Sequence, residues 1–487
     1  MEKIKNNLLQ ISEYVVWVVF FAAFTCISIS TTQVFKDTYY YIATSALLLF
    51  VMIVRRLKIF SWYNLSVLAV YGASALHWLY LHRFDWGYQY ARLLALRFCM
   101  YGLFLVIVLD LVITGKKSVL QLKKSVFTIL FLVAFGVAVF VGLEYLLIVL
   151  CPVLAWYFTP MSKERWERTV RVMAQSSFVT FCILMTVSLV VAPKEFISGR
   201  YVGIFVFPAA CSVMALSAVV ATLYLWKISI KNGADKKKTT LLHALQLVYP
   251  MVGMLLTFNR AAWIALFFIV LIIFIFSNDD KKVIKKKSII SGAVLVGLVL
   301  VFCLTIKIML AKGVEYSVKT VDDVAVFEST ADKIYYYFFA KSLLGGSKTG
   351  VFPERTFLNA LDCFSSDRVG IWYTGLKQAK IIGQTELSVV LPTGEFVGHV
   401  HSTYIDWCMR LGYIGGILLI VWFFAYLTKA VKIKLGGDNT IYYTLFWWAF
   451  CFGVFIVERE LWTNLPAFML LLMQYPLLIR FIENNEE

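Results

Sequence analysis

Any chemistry in this chain has to start from a few polar residues set among long apolar runs. One group reads Gly398-His399-Val400-His401-Ser402-Thr403-Tyr404-Ile405-Asp406-Trp407, followed by Gly412 and the Gly415-Gly416 pair. An imidazole titrates near 6.5, so it can take a proton from a hydroxyl at neutral pH. It can also ligate a metal or simply bond headgroups and backbone at a membrane interface. A His-x-His pair needs a third and usually a fourth ligand to hold zinc or iron, and the five histidines of the chain include no HExxH. No metal site and no cofactor are therefore expected.

Three arginines stand where apolar runs meet. Arg260 lies in Phe258-Asn259-Arg260-Ala261-Ala262-Trp263, a seam between two runs, and Arg200 lies in Ser198-Gly199-Arg200-Tyr201-Val202-Gly203, ahead of Pro208. Arg368 belongs to Ser366-Asp367-Arg368-Val369-Gly370-Ile371-Trp372. A guanidinium stays charged and grips phosphate oxygens bidentately, although a snorkelling cation would sit at the same places. Apolar residues at 369, 372, 376 and 379 predict an amphipathic helix with Ser366 or Asp367 as its N-cap. Arg368 then opposes the helix dipole, which points to a nearby anion. The stretch Gly345-Gly346-Ser347-Lys348-Thr349-Gly350 lacks the glycine directly before lysine that a P-loop requires.

The elements that position these residues follow from composition. Of 487 residues, 61% are hydrophobic and 15% charged, against roughly 45–50% and about 25% in a soluble domain. The runs are continuously apolar without period-two alternation, which excludes an outer-membrane barrel and predicts an all-α polytopic membrane protein. Nine cysteines form no CxxC pair or disulfide framework. The net charge of +17 is ascribed to basic cytoplasmic loops, not to a nucleic-acid partner. Placing the clusters at 55–58, 116–124, 163–171, 227–238, 281–287 and 429–434 inside predicts about fourteen spans. These are 13–31, 38–54, 59–80, 91–114, 125–141, 143–158, 170–192, 204–226, 241–258, 260–277, 289–310, 402–427, 440–457 and 465–483, with both termini cytoplasmic and turns near Gly142 and at Asn259-Arg260. The polar stretch 311–400 then faces outward as a partly helical cap. Four regions result: N-terminal spans 1–190, central spans 191–310, the extracytoplasmic loop 311–400 and C-terminal spans 401–487.

Taken together, these pieces resemble the O-antigen ligase and polymerase family of bacterial membrane glycosyltransferases. That family's signature is a His, a small polar residue, an apolar residue three further on and two spaced glycines, onto which His401, Ser402, Ile405, Gly412 and Gly415 fall. Asn and Leu are commoner there than Ser402 and Ile405. Arg260 with Trp263 looks like the family's arginine-tryptophan turn, Arg368 with Trp372 like its outer-loop arginine helix, and Arg200, Gly203 and Pro208 match upstream. The likeness covers about residues 190 to 470.

The resemblance implies a GT-C-like enzyme of the bacterial cytoplasmic membrane with an extracytoplasmic active site. Its donor is a glycan on an undecaprenyl diphosphate carrier, and its other partners are an acceptor glycan or glycolipid and membrane lipids. His401 is the implied base, with Arg260, Arg368 and Arg200 on the diphosphate and Ser402, Trp263, Trp372 and His399 supporting. Polymerase and ligase share these motifs. Lysine-rich loops suggestive of an AT-rich genome and the long outer loop favour the polymerase. A transporter for the same lipid-linked sugars is the other class, disfavoured because the halves differ and prolines are few.

Overall fold

Within a bilayer a backbone must satisfy its own N–H and C=O groups, and this chain does so with helices. A computed structural model describes residues 2–25, 37–55, 103, 106, 107, 163–197, 200–205, 208–257, 259–277, 280–311, 320, 321, 324, 325, 349–353, 356–365, 367–381, 383, 389–398, 400–437 and 441–457. In chain order the elements begin with α1 (Glu2–Thr25), α2 (Asp37–Val54), α3 (Lys163–Val191), the hairpin β1 (Phe196–Ile197) with β2 (Arg200–Tyr201), and α4 (Pro208–Lys231). Then come α5 (Lys236–Thr257), α6 (Arg260–Ile275), α7 (Lys281–Ala311) and the hairpin β3 (Thr320–Val321) with β4 (Val324–Ala325). The last are α8 (Phe357–Phe364), α9 (Arg368–Gln378), the hairpin β5 (Val389–Val390) with β6 (Phe396–Val397), α10 (Thr403–Leu435) and α11 (Ile441–Val457).

The expected spans 59–80, 125–141, 143–158 and 465–483, the Gly142 turn and the 116–124 cluster lie outside the described residues, as do His399 and Ser366. The 91–114 span is described only at residues 103, 106 and 107. By length and composition, four described helices can cross a membrane: Glu167–Val191 of α3, and α4, α5 and α10. Shorter apolar helices are Ser45–Val54, α6 and Ile441–Ile456. This mostly helical architecture is that of an all-α membrane protein. Several helices run past the expected span ends into the basic clusters, as α3 does from Lys163 and α7 from Lys281. Charge marks the edge of the hydrocarbon, whereas a helix ends only where its hydrogen bonding ends.

The chain forms two compact units. The first comprises Met1–Ile272, Trp422–Phe455 and Glu460–Glu487. Within it α4 packs between α3 and α5, and α3 packs on α1. Small residues permit this: Ala210, Ser212, Ala215, Ser217, Ala218 and Ala221 of α4 are all buried, and small side chains let membrane helices approach closely. A Cβ on Gly253 of α5 would lie 2.9 Å from Phe181, and Ser177 Oγ donates to Ser217 Oγ at 3.1 Å between α3 and α4.

The second unit comprises Ile273–Val421 and Ile456–Arg459. Here the described residues of the polar stretch that the sequence marks as a cap contain two helices, with α8 packed on α7 and on α9, and β5 packed on α9.

Candidate active site

Arg368 opens α9, and the helix start around it is built by its predecessor α8. Asp362, fully buried on α8, accepts the Gly370 N–H at Oδ1 (2.6 Å) and the Thr349 hydroxyl at Oδ2 (2.7 Å). Its carbonyl accepts the Asp367 N–H at 2.9 Å. Ser365 Oγ accepts the Val369 N–H at 3.1 Å. Asp367 occupies the N-cap position with φ 66°, yet makes no side-chain cap hydrogen bond. The expected N-cap position is thus taken by Asp367, while the side chains of Asp362 and Ser365 accept from the helix-start donors. The nearby anion that Arg368 called for is present in Asp362, placed at the positive end of the helix.

The inward face of α9 also differs from expectation. Gly370, Ile371, Thr374 and Gly375 are buried, while 369, 372, 376 and 379 are half-buried. The apolar pattern misses this because close approach here demands small residues. A Cβ on Gly370 would stand 2.4 Å from Thr349 Oγ1 and 2.5 Å from Asp362 Oδ2, and one on Gly375 would stand 2.9 Å from Val400. Gln378 closes the other end, donating to the Val390 carbonyl at 2.7 Å and accepting its N–H at 3.2 Å.

His401 follows the buried Val400 in the left-handed region, φ 47°. Among the described residues, it and Asp367 are the non-glycine residues with positive φ. Such conformations are strained and persist where the surroundings fix them. The surroundings here are one core of Ile371, Val389, Leu391, Val400 and Met409, with Trp372, Ala379, Val397 and Ile405 against it. Arg368 and Gly375 are two helical turns apart on one side of α9, about 10 Å along its axis. The half-buried His401 thus starts from the residue that α9 grips, and Arg368 from the far end of the same helix face. The indole Nε1 of Trp372 is buried without a hydrogen-bond partner among the described residues.

Beyond His401, the buried Ser402 gives its carbonyl to the Asp406 N–H at 2.9 Å, starting α10. Asp406 accepts from Arg410 Nε at 3.0 Å, an ion pair with side chains 2% and 11% exposed. The expected continuous span 402–427 is corrected here, because Gly412 has φ 74° and ψ 171°. Tyr413 turns its N–H to the Lys380 carbonyl at 3.0 Å, and its hydroxyl donates to the Leu376 carbonyl. A Cβ on Gly416 would stand 2.5 Å from Cys408 Cα, whereas residues eight apart in a straight helix are about 12 Å apart. The chain bends sharply at Gly412, and Tyr413–Leu435 alone exceeds the roughly 20 residues a bilayer demands. A Cβ on Gly412 would lie 2.2 Å from the Ile381 carbonyl oxygen, which explains a glycine there.

The other two arginines belong to the first unit. Arg260 is exposed and helical at the first position of α6, so the expected Asn259-Arg260 turn is corrected to one that ends before the arginine. Asn259 is buried; its Oδ1 accepts the Ala261 N–H at 2.9 Å and its Nδ2 donates to Ser212 Oγ at 2.8 Å. Trp263, half-buried, donates its N–H to the Asn259 carbonyl at 3.4 Å. Arg200 is exposed on β2, opposite Ile197. Ser188 holds this hairpin through the Tyr201 hydroxyl at 2.7 Å and the Ile204 N–H at 3.0 Å, and burial pushes the Tyr201 hydroxyl pKa above its usual range.

Arg368, Trp372, His401 and Ser402 share one unit, and Arg200, Arg260 and Trp263 share the other. The residues that the sequence leaves unmarked are Asp362, Thr349 and the Asp406–Arg410 pair. Their signal is a lone acid inside an otherwise apolar helix segment, in Phe357–Phe364 and again after His401.

Residues 245–420 match the Wzy_C family, described as O-Antigen ligase. No curated protein and no solved structure matches the chain. The matched segment contains Arg260, Arg368 and His401, while Arg200 precedes it. From the Arg260 helix start through the His401 strain point to the helix beyond Gly412, this segment of the chain is thus similar to the O-antigen ligase family.

Proposed function

We propose that this chain is a polysaccharide polymerase of the bacterial cytoplasmic membrane, with both termini inside and its active site on the outer face. It transfers a glycan from an undecaprenyl diphosphate carrier to a sugar hydroxyl of another lipid-linked repeat unit. His401 takes the hydroxyl proton as the new C–O bond forms. The anomeric bond to the carrier breaks on the opposite face, its electron pair leaving on the diphosphate, so the centre inverts. Arg260 and Arg368, with Arg200 as a further cation, bind the diphosphate oxygens and stabilise the charge that develops at departure. With guanidinium groups carrying the countercharge, the reaction as written uses no metal.

The observation that supports this reading best is the packing of Gly375 on Val400, which ties the arginine helix to the residue before His401. A base and a cation held by one rigid core are pre-oriented for a single substrate. General-base catalysis is typically worth about 100-fold to 10,000-fold. Membranes carrying His401→Ala should lose glycan transfer by that factor while still binding the lipid donor; unchanged turnover removes His401 from the mechanism. Arg260→Lys and Arg368→Lys should each weaken donor use, because lysine cannot make the bidentate contact.

The family's description favours a second reading, in which a finished glycan passes to a terminal acceptor such as lipid A core. Glycans from a deletion strain separate the two: single-repeat products indicate lost polymerisation, and carrier-bound polymer indicates lost ligation.

A further inference from the structure

Thr349, whose surrounding motif was dismissed as a P-loop, and the lone acid of α8 meet at one place, where Thr349 donates to Asp362 and Asp362 receives the start of α9. Three backbone N–H groups around Arg368, those of Asp367, Val369 and Gly370, end on Asp362 of the preceding helix or on Ser365 just after it. These bonds fix Asp367 at a positive φ that a free chain avoids. Orientation of the residue after it is thereby fixed as well. Gly370 completes the cradle, since any side chain there would collide with both Thr349 and Asp362.

We propose that Asp362, steadied by Thr349, is a positioning residue for Arg368. Its carboxylate does two things at once. It accepts the helix-start N–H, which sets the direction in which the Arg368 side chain departs, and it supplies the negative charge that a helix start favours and that Arg368 itself opposes. A cation held at a fixed angle loses less conformational entropy on gripping an anion, so the cradle raises affinity for the diphosphate without touching it. The inference rests on the reading that Arg368 binds the donor diphosphate. Asp362 itself, fully buried beneath the helix start, serves the site through Arg368.

The test uses the purified full chain in detergent, with undecaprenyl diphosphate as the binding probe. Asp362→Ala should lose affinity at least tenfold, and Asp362→Asn, which keeps an acceptor for the Gly370 N–H, should lose less than threefold. In an Arg368→Ala background, Asp362→Ala should change affinity by less than twofold, because the group it positions is gone; interacting residues are non-additive in this way. A full tenfold loss in that background, or no loss from Asp362→Ala alone, overturns the proposal. Wild-type affinity for Arg368→Ala by itself instead removes Arg368 from donor binding, a separate failure. Should Asp362→Ala not accumulate in membranes, Thr349→Val serves in its place. It should weaken binding about threefold with Arg368 present and not with Arg368→Ala, and a loss that persists in both backgrounds overturns the proposal.

Discussion

Among the described residues, two helix starts carry arginine at their first position, and they are anchored in opposite ways. Arg260 opens α6 after a turn capped by a neutral amide, with Asn259 bonded to the Ala261 N–H and to Ser212. Arg368 opens α9 after a strained residue and a buried carboxylate, with Asp362 bonded to Gly370 and Thr349. At equivalent places, two residues past the arginine, one helix has the buried Ala262 and the other has Gly370. The first start is local: its cap is the adjacent residue, and ordinary capping chemistry suffices. The second is assembled from three separate stretches, so its geometry depends on packing. An arginine at a helix start is compatible with either solution, provided the positive end of the helix is satisfied from elsewhere.

The sharpest way to separate the two starts is to delete each anchor. Asp362→Ala orphans two buried donors at about 1–3 kcal/mol apiece, and thermal unfolding in detergent should show it as the most destabilised variant. Equal melting with wild type would mean that the carboxylate anchors nothing. Next comes Gly370→Ala, whose added carbon meets Thr349 and Asp362 and should cost about 1–3 kcal/mol by overpacking. Asn259→Ala removes a conventional cap and should cost about 0.5–2 kcal/mol; a larger loss than that from Asp362→Ala would reverse the contrast. The mirror-image exchange, Ala262→Gly, adds no clash and should cost only about 1 kcal/mol through helix propensity. Comparable melting temperatures for Gly370→Ala and Ala262→Gly would show that the α9 start has room to spare.

Much of the Arg260 start was legible because every participant but Ser212 lies within three residues of the arginine. The run-to-run seam, the small residues and the tryptophan all stand next to one another in the sequence. At the Arg368 start the helix itself was legible, but its buried face was not. Apolar periodicity selects large residues, and the face that packs on Val400 and Asp362 uses Gly370, Thr374 and Gly375. The bend at Gly412 was hidden for the same reason: the residues from 402 to 427 read as one span. What breaks the helix is a contact with Lys380 and Ile381, more than thirty residues upstream.

By itself the sequence determined that the solvent is lipid and the backbone helical, because sustained apolar runs leave no other way to satisfy buried peptide groups. It also determined which side chains are available for chemistry, since few polar residues stand at the ends of those runs. Tertiary structure alone decided that Asp362 and Thr349 meet under Gly370, that α9 rests on Val400, and that His401 is held at positive φ. Those outcomes depend on distances between atoms remote in the chain, and steric exclusion acts on distances in space, which residue spacing does not encode.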